Sequence, residues 1–206
     1  AVVPSRAQFA GEQAYNFVRN SIARDIIGSH DFMKYVPYLV ALFFFILVNN
    51  YFAVIPFVQY PTLSSVGFVY GLAALTWIIY NGVGVRRHGF LGYLKHQSMP
   101  PGIKGAVLLL IVPLEFMSNI LVRPITLSLR LWANLFAGHI LLLLFAIGGE
   151  YLILHSDKAA YIPVGVLSLL LGLAVGFLEL LVLFLQAYVF TLLTAMYISG
   201  ALAEEH

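Results

Sequence analysis

No cysteine occurs among the 206 residues, so disulfides and thiolate metal sites are ruled out and the redox compartment cannot be read. Charge is scarce as well: charged side chains make up 10% of the chain, against about 25% in an average globular domain. The net charge of +2 is too small to imply a nucleic-acid partner. No strand alternation with barrel spacing is present, which argues against an outer-membrane barrel. Glycine-rich phosphate loops, Ser/His/Asp sets and nucleophile elbows are missing too, so chemistry on a bound substrate is not indicated. The opening Ala1-Val-Val-Pro4 is neither a start methionine nor a signal peptide.

What is abundant is apolar sequence. Hydrophobic residues make up 61% of the chain, and several runs exceed the ~18 residues that mark a membrane-spanning helix. The expected class is therefore an all-α polytopic membrane protein. Residues 5–28 read as an amphipathic helix lying on the membrane surface, with Tyr15, Val18, Ile22 and Ile26 along one face. A soluble helix packed on a partner subunit is the alternative for that stretch. Residues 35–57 and 65–85 read as transmembrane helices. Between Arg86 and Lys104 come Arg86, Arg87, Lys95 and Lys104 with no acid, so that loop is assigned to the cytoplasm by the positive-inside rule.

Two much longer segments, residues 103–148 and 161–203, come next and form a hairpin. As continuous helices each measures roughly 60 Å, about twice the ~30 Å hydrocarbon thickness. Either each breaks or the pair tilts far beyond the usual ~40° limit. Pro124 could kink the first, but the second has no proline after Pro163, which favours a steeply tilted hairpin.

Arg130 lies at least 17 residues from either end of its apolar run, roughly 25 Å at 1.5 Å per residue. A cation at that depth costs several kcal/mol unless it finds a partner or water, which makes it a functional candidate. On a 100° wheel centred on Arg130, Asn119, Arg123 and Ala137 fall within about 20°, Thr126 and Asn134 within about 40°, and Glu115 and Ala133 within about 60°. This stripe of polar and small residues is suited to close approach by another helix. His139 falls on the opposite face. On the second long helix Glu179 and Gln186 share a face, seven residues apart, and Glu179 is surrounded by Leu, Val and Phe. In an antiparallel hairpin, facing residues have nearly constant summed numbers. His139 with Glu179 gives 318 and Arg130 with Gln186 gives 316, both centring the turn within residues 156–161. His139 and Glu179 are only two ligands, short of the three or four that zinc takes, so no metal is expected. No cofactor is expected either.

Leu129-Arg130-Leu-Trp-Ala-Asn134-Leu-Phe-Ala-Gly138-His139 resembles the Arg-Leu-Phe-x-Asn-x-x-Ala-Gly motif of the a subunits of rotary F-type ATP synthases. The stretch from Leu178-Glu179 through Gln186 to Thr191 is similar to their last-helix motif. The resemblance covers residues 4–206. It implies a non-catalytic, proton-conducting stator subunit. Arg130 would face the ring of c subunits, hold its carboxylate deprotonated and block a leak between two offset half-channels. Asn134, His139, Glu179 and Gln186 would belong to the outer half-channel, with Asn50 on its entry path. Glu115 would belong to the cytoplasmic one, with Ser118, Asn119 and the acidic tail Glu204-Glu205 near its mouth. Partners implied are the c ring, peripheral-stalk b subunits and the lipid bilayer. The location implied is a bacterial plasma membrane, with an organelle inner membrane as the alternative. Family members carry a further span before the surface helix, so the sequence is expected to lack one. Two other classes predict different features. A secondary transporter would show internal repeats and discontinuous midplane helices, and neither is visible. A passive assembly subunit would tolerate replacement of Arg130 and Glu179.

Overall fold

The computed structural model describes residues 5–28, 31–52, 54, 65–98, 107–155 and 159–203. Among them every regular element is helical and no strand occurs. Four helices are long and apolar enough to cross a membrane, so the chain is an all-α polytopic membrane protein.

The first helix begins at α1 (Arg6–Val18), where the Ser5 side chain accepts a bond from the Gln8 N–H at 3.2 Å. It continues without a break through a π-helical stretch, Arg19–Arg24, into α2 (Asp25–Ile27). Gly28 ends it at φ 91°, a left-handed conformation natural only to glycine. Val18, Ile22 and Ala23 are buried. Phe17 packs its ring against Phe43, Phe184 and Tyr188, with centroids 5.8–6.2 Å apart. The amphipathic helix thus seats its apolar face on α3 (Phe32–Phe52) and α8 (Ile162–Leu202).

α3 and α4 (Val66–His88) are the two shorter spans. The expected end of the first at residue 57 lies outside the described residues. Beyond α4 the structure departs from the expected loop. Gly89, at φ 72°, turns the chain, and α5 (Phe90–Ser98) comes next. Its Tyr93 hydroxyl donates to Asn81 Oδ1 at 3.0 Å. The Tyr93 ring occupies the space that a side chain on Gly84 would fill, which is what lets α5 fold back.

The two long segments are uninterrupted. α6 (Val107–Met117) passes through a π turn, Ser118–Val122, into α7 (Arg123–Leu154), a rod of about 70 Å at 1.5 Å per residue. α8 runs for 41 residues. Gly149 and Gly165 mark the closest approach of α7 and α8: a Cβ on Gly149 would lie 3.1 Å from the Gly165 carbonyl oxygen. Ser168 adds a bond to the Phe145 carbonyl at 3.0 Å. Gly138 faces Glu179 and Gly172 faces Phe145, and the numbers in each pair total 317; Gly176 faces Leu142, totalling 318. The expected values were 316 and 318.

The π turn changes the wheel. One slipped residue rotates the part of the rod before it by about 100° relative to the part beyond it. Accordingly Asn119 is buried while Arg130 is exposed, although a straight wheel places them side by side. The stripe from Glu115 to Ala137 is therefore two stripes that part near Arg123.

Candidate functional site

Leucines at 127, 131 and 135 bury one face of α7 in the bundle. The periodicity that turns them in turns Thr126, Arg130, Ala133 and Ala137 out, and all four are exposed. Arg130 has no hydrogen bond or ion pair among the described residues. Leu129 and Phe136 flank it, 43% and 48% exposed. An exposed cation in an apolar surface is costly in lipid, about 3 kcal/mol by insertion scales, so this face calls for a partner. The small alanines leave room for one. Gln186, matched to Arg130 by number, is instead buried in the bundle, and no hydrogen bond joins them. The reason is angular: the hairpin contact lies about 100° around α7 from Arg130, along Leu131, Gly138 and Gly149.

Glu179 occupies the opposite position. It is 4% exposed, and both carboxylate oxygens are buried without a hydrogen-bond partner. The carboxyl rests against Gly138, where an added Cβ would stand 2.5 Å from Oε1 and 3.0 Å from the carboxyl carbon. His139, half-buried beside it, acts on Glu179 electrostatically, and its Nε2 is likewise buried and unpaired. A carboxyl and an imidazole, each with unfilled hydrogen-bonding capacity, thus lie near one another where α7 meets α8. Buried polar groups without partners are rare and call for an explanation in function or bound water.

The polar line extends along α8. Gln186 is 6% exposed with Nε2 unpaired. One turn from Glu179, the Leu183 carbonyl accepts from Asn50 Nδ2 at 3.2 Å, leaving Asn50 Oδ1 buried and unpaired. Tyr51 donates to the Leu180 carbonyl at 3.4 Å. The structure therefore brings Asn50, His139, Glu179 and Gln186 to the α3–α7–α8 contact. Asn134 is half-buried on the α7 flank between this group and Arg130.

A second polar group gathers on the other side of the π turn. Glu115 and Ser118 are half-buried and Asn119 is 3% exposed. The Tyr80 hydroxyl donates to the Asn119 carbonyl at 3.0 Å. The Arg123 guanidinium stands 5.2 Å over the ring of Tyr197. Glu204 and Glu205 lie outside the described residues. Tyr80 and Gly138 were missed as site residues. An apolar-flanked tyrosine carries no local signal, and the only hint for Gly138 was its place in the motif.

The model of the family described as ATP synthase A chain matches residues 1–199. The chain belongs to that family. An ATP synthase subunit a from a Nocardioides species is 65% identical over all 206 residues, which span 74% of that protein. One from an Arthrobacter species is 50% identical, again over the whole chain and 77% of the relative. One from Streptomyces lividans is 42% identical over the whole chain and 72% of the relative. Membership makes the chain a membrane subunit of an ATP synthase. The Arg130 face and the Glu179 pocket are then two features of one family member, on different sides of the same helix.

Proposed function

We propose that this chain is the proton-conducting stator subunit of a bacterial plasma-membrane ATP synthase, working against a rotating c ring and held by peripheral-stalk b subunits. The observation that carries the reading is the separation within one hairpin. A permanent cation faces outward among small residues, while a buried acid, an imidazole and two amides line the inner contact.

Protons from outside pass Asn50, Glu179, His139, Asn134 and Gln186 to reach a ring carboxylate. After nearly a full rotation they leave by Glu115, Ser118 and Asn119 toward the cytoplasm. The acidic residues Glu204 and Glu205 would serve that exit. Glu179 and His139 can relay a proton because each offers an unfilled donor or acceptor position. Arg130 favours the ionised form of any carboxylate brought near it. Arginine itself stays charged at every accessible pH, so it cannot pass the proton on. It therefore separates the two pathways. Hairpin helices twice as long as the membrane is thick lie steeply inclined, which lets α7 track the curved ring surface. The chain performs no nucleotide chemistry; that belongs to other subunits.

Arg130→Ala is expected to abolish ATP-driven proton pumping in membrane vesicles, with the complex still assembled. Near-normal pumping by that variant would overturn the mechanism.

A further inference from the structure

The π turn leaves one backbone group unprovided for. The Arg123 N–H reaches back five residues to the Ser118 carbonyl. In that register the Asn119 carbonyl would take its bond from residue 124. That residue is Pro124, which has no N–H to give. The vacancy is filled from another helix, by the Tyr80 hydroxyl at 3.0 Å. Tyr80 is 2% exposed, and its ring lies 5.5 Å from that of Tyr197 on α8, the ring that Arg123 covers. Three helices are thus joined where the Glu115–Asn119 half of the rod rotates away from the Arg130 half.

We propose that Tyr80 is a positioning residue: its hydroxyl replaces the backbone donor that Pro124 lacks, holds the π turn, and so sets the direction in which Arg130 points. The inference rests on the proposed role of Arg130. It stems from a specific chemical match, since a carbonyl without a backbone donor meets a hydroxyl whose ring is fixed on two sides. A phenylalanine at 80 would keep the ring packing and lose the hydroxyl, both its bond to the Asn119 carbonyl and its interaction with the Asn81 side chain.

The test is a double-mutant cycle in the assembled complex, read as ATP-driven proton pumping in vesicles. Tyr80→Phe should lower pumping by about two- to tenfold, the range expected for one net hydrogen bond, at unchanged complex levels. Pro124→Ala restores an N–H at residue 124. In that background the further effect of Tyr80→Phe should be clearly smaller, because the share that runs through the Asn119 carbonyl is gone. An equal Tyr80→Phe penalty in both backgrounds, or none in the native one, overturns the proposal. If Pro124→Ala alone stops pumping, thiol labelling of Asn119→Cys decides, since the chain has no other cysteine. With Tyr80→Phe, labelling should quicken by the same factor of about two to ten; unchanged labelling overturns the proposal. Arg130→Ala, run alongside, separates the two levels. If it pumps, the function reading fails. If it does not pump while Tyr80→Phe equals the native complex, only the positioning role fails.

Discussion

A methyl group at Gly138 would sit 2.5 Å from Glu179 Oε1, whereas one at Gly176 would meet Leu142 Cδ2 at an ordinary 3.7 Å. Two glycines on one hairpin should therefore respond differently to alanine. Gly138→Ala must displace the carboxyl from its place near His139, and a displacement near 1 Å at a reacting group can cost up to about a hundredfold in rate. Proton pumping by Gly138→Ala should fall at least several-fold, while Gly176→Ala stays near native. Equal activities would show that the carboxyl's position is not critical. The same pocket makes a second expectation. Exchanging the two, with His139→Glu and Glu179→His together, keeps one acid and one imidazole within electrostatic reach of each other. The double variant should pump better than either single one. Legibility at this scale was uneven. Arg130, His139 and Glu179 stood out because charge is rare in so apolar a chain. Gly138 did not, because nothing in a sequence says which atom occupies the space a glycine leaves.

Among the elements, the hairpin was the most legible. Its length came from hydropathy, and its register from the numbers of its isolated polar residues, since two antiparallel helices of equal rise keep a constant sum. The rotation at Ser118–Val122 was not legible. Pro124 announces a disturbed helix, but whether the chain kinks, breaks or slips into a π turn depends on which neighbour satisfies the freed carbonyl. That neighbour, Tyr80, is 39 residues away. The expected polar stripe was split for this reason. Helix α5 was also unforeseen, because its stability comes from Tyr93 against Gly84 and Asn81 rather than from its own weakly amphipathic sequence. The close approach at Gly149 and Gly165 gives a direct check of register. Cysteines at both positions should form a disulfide on mild oxidation, since the backbones there approach within reach of one. A pair at Gly149 and Phe177, three turns further along α8, should not.

For the molecule as a whole, the outer surface of α7 and α8 is apolar over most of its length. Leu143, Leu144 and Ile147 of α7 and Leu170, Leu173 and Phe177 of α8 are each more than half exposed. In water such a face would aggregate; in a bilayer it meets lipid tails or another subunit. The stripe of Arg130, Ala133 and Ala137 divides this surface, and the proposed ring contact assigns it to the c subunits. A cysteine at Ala137 should then cross-link to cysteines on the outer ring helices. One at Leu135, 1% exposed and turned into the bundle, should not. Cross-linking from Leu135 in place of Ala137 would mean that the rod is rotated from the orientation described.

By itself, the sequence determined that this protein is a helical membrane protein with an amphipathic first helix, two shorter apolar helices and a long hairpin. It also determined that Arg130, His139 and Glu179 are the groups whose presence in so apolar a chain must be accounted for. Hydropathy, charge scarcity and helical rise suffice for that, because each acts along the chain. Which side of α7 each of these groups faces was decided only in the tertiary structure. A slipped turn rotates a helix by an amount local sequence does not encode, and the groups that meet it, the Tyr80 hydroxyl and the Tyr197 ring beneath Arg123, come from other helices.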